Sequence, residues 1–323
     1  MAKDILGIEI GENRIKLVQM SHGTVTRFVS IKVPEQSISG DAVVAWDALA
    51  DDVKRALKEN KFSAKRTAVV IPDSETYVRR LKMPSMTESQ LNFNLPYEFR
   101  DVIPDEKDKY IFDYSVIRES EDGGEMEILG AAISKEKLEN YEHLTARAGL
   151  RLVKAAPRVM ALQCLIRELK GADNTEDTAV INYEWNTTRV DIFHEGIYEV
   201  TRNIDTGVKD IVKAAAEKLN CDPHIAESYC ADNSNNVLES PECIAVYNTI
   251  SVEIMRALNY YTYENQGSTL NMLYYFGDGA GISRMIDELK NTVSLTIMPL
   301  SDLAQVNAEA LINGADAVGI CLE

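Results

Sequence analysis

The sequence predicts an α/β protein of two related domains, with a small α+β unit inserted in the first. Three observations carry this. The apolar run from Ile5 to Ile10 turns through Gly11-Glu12-Asn13 and returns as alternating Ile15 and Leu17, a strand, tight turn and antiparallel strand. The same shape returns from Ala179 to Gly196: Glu9 and Asn182 are 173 positions apart, as are Gly23 and Gly196, so Lys16 aligns with Arg189 without a gap. A chain that repeats its opening hairpin halfway along suggests two related domains with a cleft between them. A length of 323 residues suits two cores better than one.

Taken in order, residues 24–33 alternate and supply a third strand, closed by Pro34. Gly40-Asp41 opens a helix with Asp41 as N-cap, along which Val43, Trp46, Leu49, Val53, Ala56 and Leu57 recur at helical spacing. Residues 67–71 are a short β-branched run, the mark of a buried parallel strand reached by a crossover helix. From about 74 to 157 the order becomes strand, helix, strand, strand, helix. The first strand is 77–81, followed by a helix from Thr87 that Pro96 should kink or split. Strands 110–117 and 125–133 flank the Asp122-Gly123-Gly124 turn, and Ser134 caps a helix stopped by Gly149. This predicts a small sheet with two helices on one face.

A helix over 158–170 and a polar linker lead to the second hairpin. Beyond it come a strand over 196–204, a helix through Ile211 and Leu219, and another begun by Asp222-Pro223. A polar loop over 232–240 precedes a long helix over about 243–266 and a buried strand over 270–276. A helix through Met285 and Leu289, a strand over 295–297, and a closing helix with the apolar run 317–322 complete the chain. The domains are read as 1–73 with 158–176, an inserted 74–157, and 177–323.

A formal net charge of −17 argues against nucleic acid, whose phosphates need Lys and Arg in excess, and against direct docking on anionic lipid. Five scattered cysteines with no C-x-x-C fit a reducing compartment. The start shows no signal-peptide pattern, and no apolar stretch approaches the length that spans a bilayer, so a cytoplasmic protein is expected.

Chemistry-bearing motifs are few. Gly277-Asp278-Gly279-Ala280-Gly281 lies between a strand and a helix, where backbone N–H groups can meet a ligand or simply make a tight turn. It matches neither the Walker A nor the dinucleotide fingerprint. The four histidines sit singly, and no Ser-His-Asp or Cys-His site can be assigned. Cys221, His224 and Cys230 fall short of the four well-spaced ligands of structural zinc, so no metal site is assigned.

Two strand-turn-strand loops, one per half, followed by a Gly-rich loop after a buried strand, resemble the phosphate 1, phosphate 2 and adenosine loops of the actin-like ATPase superfamily, a duplicated ribonuclease H-like fold. Leu6-Gly7-Ile8-Glu9-Ile10-Gly11 with Lys16-Leu17-Val18, the 81–84 segment, Glu98 with Ile103-Pro104, Tyr114-Ser115-Val116-Ile117, Ala148-Gly149-Leu150 and 277–280 are similar to the PilM family. These are actin-like cytoplasmic assembly proteins of type IV pilus systems, and the resemblance covers essentially the whole chain. The inserted unit is similar to the extra subdomain that the family shares with FtsA. FtsA-like proteins carry a C-terminal amphipathic anchor that the sequence up to Glu323 lacks, so no direct membrane anchor is expected.

The resemblance implies ATP with magnesium. It places Gly11, Asn13 and Lys16 at phosphate 1, Asn182, Thr187 and Thr188 at phosphate 2, Glu227 at the ribose, and Gly277, Gly279 and Ala280 at the adenosine loop. The departures weigh against it. The two metal-and-water carboxylates of the family are aspartates in Asp-x-Gly; here they are Glu9 and the neutral Asn182, and an amide cannot act as a general base. Glu184 replaces the glycine of the second turn, and its carboxylate would repel polyphosphate by roughly several kcal/mol in a low-dielectric cleft. Asp278 replaces another glycine, and Cys230 stands where a basic residue is expected after Glu227. ATP hydrolysis is therefore expected to be lost or very weak, and no catalytic residue is assigned.

What the resemblance then implies is a scaffold. PilM-type proteins bind the short cytoplasmic N-terminal peptide of a single-pass inner-membrane partner, PilN, in a groove beside the inserted subdomain. Met83, Met86, Leu91, Phe93, Leu95 and Phe99 either offer apolar surface there or form that subdomain's core. The expected location is the cytoplasm, at the inner face of the membrane through the partner. Self-association, as in several actin-like proteins, is left open by the sequence. The alternative is an active ATPase or small-molecule kinase, which an intact Asp-x-Gly in both loops would favour.

Overall fold

A computed structural model describes residues 4–34, 36–39, 42–120, 123–171, 173–304 and 307–322. The opening hairpin is β1 (Ile5–Ile10) and β2 (Arg14–Ser21), extended by β3 (Thr24–Lys32). A short hairpin, β4 (Ile38–Ser39) and β5 (Ala42–Val43), precedes α1 (Trp46–Glu59), and β6 (Arg66–Ile71) returns parallel to β1. The expected helix start at Gly40-Asp41 lies outside the described residues, as does Asp122 of the expected turn. Val43 is a strand residue and not part of the helix. The N–H groups of Val44 and Ala45 both go to the Ser37 carbonyl, which holds the chain in the hairpin until Trp46.

Next come β7 (Thr76–Pro84), α2 (Glu88–Glu98), β8 (Tyr110–Glu119), β9 (Glu125–Ser134), α3 (Lys135–Arg147) and β10 (Arg151–Pro157). β7, β9 and β8 make a three-stranded sheet in that order. Thr87 and Gln90 form a capping box on α2, which runs unbroken through Pro96. Pro96 sits in the last turn, so only one intrahelical bond is forgone and no break follows. α2 lays Leu91, Leu95 and Phe99 on one face of this sheet. Its second expected helix goes elsewhere: Tyr141, Leu144 and Ala148 of α3 pack with Leu49 and Val53 of α1 in the core of the first sheet. β10, absent from the sequence-based expectation, joins that sheet beside β6 to give the order β10-β6-β1-β2-β3.

α4 (Arg158–Lys170) leads to a second five-stranded sheet, with β11 (Thr178–Tyr183), β12 (Thr188–His194) and β13 (Ile197–Ile204). The helices α5 (Val208–Leu219), α6 (Pro223–Ala231) and α7 (Pro241–Glu264) follow, then β14 (Met272–Gly277), α8 (Ser283–Thr292), β15 (Thr296–Pro299) and α9 (Ala308–Gly319). The expected polar loop over 232–240 contains a 3-10 stretch, Ser234–Glu239, that buries Val237 and Leu238. Strand order here is β13-β12-β11-β14-β15, the first sheet's order repeated element for element. Both hairpin turns place a side-chain residue then a glycine at positive φ, His22-Gly23 and Glu195-Gly196. The duplication is therefore real at the level of backbone path.

The chain divides into two compact units: Met1–Ile10 with Arg14–Cys164 and Asp316–Glu323, and Gly11–Asn13 with Leu165–Ala315. The dividing points fall inside α4 and just after the non-helical Gly314 of α9. In the first unit Gly7 is required by packing, since a Cβ there would lie 2.0 Å from the Ala317 carbonyl oxygen at the end of α9. The second unit has one large core, with Ile181, Val190, Ile211, Tyr247, Ile254 and Leu273 buried in it.

Candidate functional site

The opening hairpin sets Glu9 directly across from Lys16, because a three-residue turn leaves the two strands in register. The Lys16 Nζ donates to Glu9 Oε1 at 2.8 Å, and both side chains are nearly inaccessible, at 3% and 2% residue exposure. A buried carboxylate and ammonium that neutralise each other are held mainly by the cost of separating them.

The second hairpin sets Asn182 across from Arg189, yet this pair is resolved differently. Arg189 turns to Asp191 at 2.9 Å, and the Thr201 hydroxyl donates to the same carboxylate at 2.6 Å. Asn182 donates its Nδ2 to Glu184 Oε1 at 2.8 Å, and the Thr187 hydroxyl donates to Glu184 Oε2 at 3.4 Å. Glu184 thus draws two donors of its own turn onto its carboxylate. Thr188 caps the carbonyl of Thr206 at 2.9 Å.

Gly277, Gly279 and Ala280 meet this turn from β14. Gly277 is at φ 105°, and a Cβ there would stand 2.4 Å from Asn182 Oδ1. Gly279 donates its N–H to the Tyr183 carbonyl at 3.2 Å, and Ala280 donates to the Gly277 carbonyl at 3.0 Å. Of the two readings of this loop, the observed bonds are those of a tight strand-to-helix turn docked on β11. Gly11 and Asn13 bracket Glu12, whose carboxylate accepts the Asn186 N–H at 3.0 Å, inside the second unit as the contacts divide it. Sequence reasoning passed over Glu12; nothing in a polar turn distinguishes it. Glu227 is half-buried on α6, and burial pushes the nearby Cys230 thiol up to about 11, which keeps it neutral; a cysteine in either form supplies no cation.

Among the described residues no group of three His, Cys, Asp or Glu is placed to hold a metal ion. Ser, His and Asp do meet, at Ser268, His194 and Asp177, contrary to the expectation of solitary histidines. The order is wrong for catalysis: Ser268 and His194 both bond the Asp177 carboxylate, His194 at 2.6 Å, so the imidazole does not activate the hydroxyl. With Tyr261 and the Thr269 N–H also donating, Asp177 is a buried anchor for the loop before β14.

The first unit carries two hollows beside the three-stranded sheet. A polar one of about 450 Å³ surrounds Glu75, whose buried carboxylate is taken by Lys137 Nζ and the Tyr141 hydroxyl, each at 2.7 Å. The other is apolar and about 190 Å³. Strand alternation makes one wall of it: Ile111, Asp113 and Ser115 of β8, Ala131 and Ile133 of β9 and Thr76 of β7 share the sheet face opposite α2. Ile71, Leu138, Ala155, Ala156, Pro157 and Met160 make the other wall. Of the six residues singled out from sequence, Met83, Leu91, Leu95 and Phe99 are buried under α2 and Met86 packs beside them. Phe93 is 69% exposed and stacks at a tilt on Tyr97, 5.8 Å between centroids. The residues lining the apolar groove were not legible as a set, because it forms only where β10 brings 155–157 alongside the small sheet.

The family described as "Type IV pilus assembly protein PilM" matches residues 7–313. No curated protein matches by sequence. Among solved structures, the chain is similar to a PilM-PilN type IV pilus biogenesis complex, with TM-score 0.83, 19% identity, and 98% of this chain and 97% of that one covered. It is also similar to the ethanolamine utilization protein EutJ from Carboxydothermus hydrogenoformans, with TM-score 0.64, 14% identity and coverage of 100% and 90%. A Bacteroides thetaiotaomicron protein with an actin-like ATPase fold and unknown function follows at TM-score 0.51, 11% identity and coverage of 99% and 96%. These likenesses establish the actin-like fold, and the match over residues 7–313 establishes that the chain belongs to the type IV pilus assembly protein PilM family.

Proposed function

We propose that this protein is a cytoplasmic scaffold of type IV pilus or related secretion machinery, which holds the N-terminal cytoplasmic peptide of a PilN-like inner-membrane protein. The observation that carries the proposal is the apolar groove between the outer face of the β7-β9-β8 sheet and the 155–157 segment. It is bordered by an edge strand, β8, which leaves backbone groups for an extended peptide to pair with. Each apolar side chain buried there contributes roughly 1.5–3 kcal/mol before ordering costs, so a few such contacts suffice for micromolar affinity. The similar solved structure is of a complex with PilN, which supports this class of partner. No helix among the described residues is long and apolar enough to cross a membrane.

The same proposal takes the nucleotide machinery as degenerate. The residues present do not fit ATP with magnesium: Lys16 is engaged by Glu9, the Asn182 and Thr187 donors are engaged by Glu184, and Asn182 offers no anionic oxygen. The β7-β9-β8 sheet then presents one wall of the peptide groove, and the 155–157 segment of the first sheet the other. The test is a calorimetric titration of the full chain with a synthetic copy of the partner's cytoplasmic segment. Micromolar binding that falls at least tenfold in Ala155→Arg, an exposed groove position, is the expected result. Absence of binding, or indifference to Ala155→Arg, would refute it.

A further inference from the structure

Asp113 is the one charged residue in the lining of the apolar groove. It lies at the middle of the β8 wall, between Ile111 and Ser115 on the same sheet face and opposite Ala131 of β9. Its side chain is exposed and lines the groove. One oxygen accepts the N–H of Tyr114 at 2.8 Å, which fixes its direction, and among the described residues no cationic side chain pairs with it. A carboxylate set in apolar walls is costly to cover with an apolar ligand, since it would lose water and gain nothing.

We infer that Asp113 reads a single Lys or Arg in an otherwise apolar, extended peptide and thereby sets its register in the groove. This rests on the peptide-binding reading above and specifies its ligand. Two independent considerations favour a basic occupant. Cytoplasmic flanks of membrane-spanning segments carry an excess of Lys and Arg. The chain itself has a formal charge of −17, a field that draws cationic segments toward it and speeds their encounter. The apolar walls add affinity without regard to register, because a strand shifted by two residues presents the same face. The carboxylate breaks that degeneracy: only one register pairs the cation, and the others bury an unpartnered charge.

The test uses the full chain and fluorescence polarisation with labelled synthetic peptides copying the cytoplasmic N-terminal segment of the PilN-like protein of the same organism. Each Lys or Arg is changed in turn to norleucine or Glu. One position is expected to dominate, its norleucine change weakening binding about tenfold to the native chain but less than about twofold to Asp113→Asn. Asp113→Lys is expected to reject the native peptide and recover binding to the peptide carrying Glu at that position. Glu119→Gln, elsewhere on β8, serves as the control and is expected to change nothing. If the native chain binds the peptide and Ala155→Arg abolishes binding, but native and Asp113→Asn chains respond alike to every charge change, the Asp113 inference is overturned and the groove reading stands. If no peptide binds, both fall.

Discussion

Glu9 and Lys16 are seven positions apart, and the three-residue turn between their strands makes them partners. Glu9→Gln takes the negative charge out of this buried pair while keeping an acceptor oxygen, and is expected to lower stability by about 1–3 kcal/mol, read by urea unfolding. A loss below about 0.5 kcal/mol would mean that the charge of Glu9 contributes nothing net to the fold. The hairpin was legible in the sequence, but the pairing was not: the resemblance assigned Lys16 to a phosphate, and only the register sets it across from Glu9. Glu184 was legible as a misplaced carboxylate, but not as the acceptor that gathers Asn182 and Thr187, since side-chain direction is decided by packing. Asp113 was not legible at all. Among 51 acidic residues, only the meeting of a sheet face with the 155–157 segment singles it out.

At the scale of elements, the 173-residue repeat made the two hairpins and their third strands readable in advance, and the order of the two sheets follows the same duplication. β10 escaped because Lys154-Ala155-Ala156-Pro157 has weak strand character; its pairing with β6 overrides local preference. The second helix of the inserted stretch was recognised but placed on the wrong surface, since its apolar stripe fits α1 as well as the small sheet. In the loop after β14, the glycine at 277 answers to local geometry. Gly277→Ala must relieve both a left-handed backbone and an approach of 2.4 Å to Asn182 Oδ1. We expect it to cost about 3 kcal/mol or more by thermal or urea unfolding, well above a surface Gly→Ala change such as Gly281→Ala.

On the scale of the molecule, the actin-like fold persists while the groups that would serve a nucleotide bond to one another. In the scaffold we propose, binding free energy for the partner comes from apolar burial and a single charge, with no coupling to phosphate chemistry. Any ligand that altered the groove's affinity would have its own affinity altered by the same factor, so nucleotide coupling can be read from the peptide alone. The most direct measurement is therefore the calorimetric titration of the partner peptide into the full chain, run with and without millimolar Mg·ATP. The scaffold account predicts the same micromolar Kd in both, with no heat from nucleotide alone. A several-fold change in peptide affinity on adding Mg·ATP, or nucleotide turnover during the titration, would contradict it.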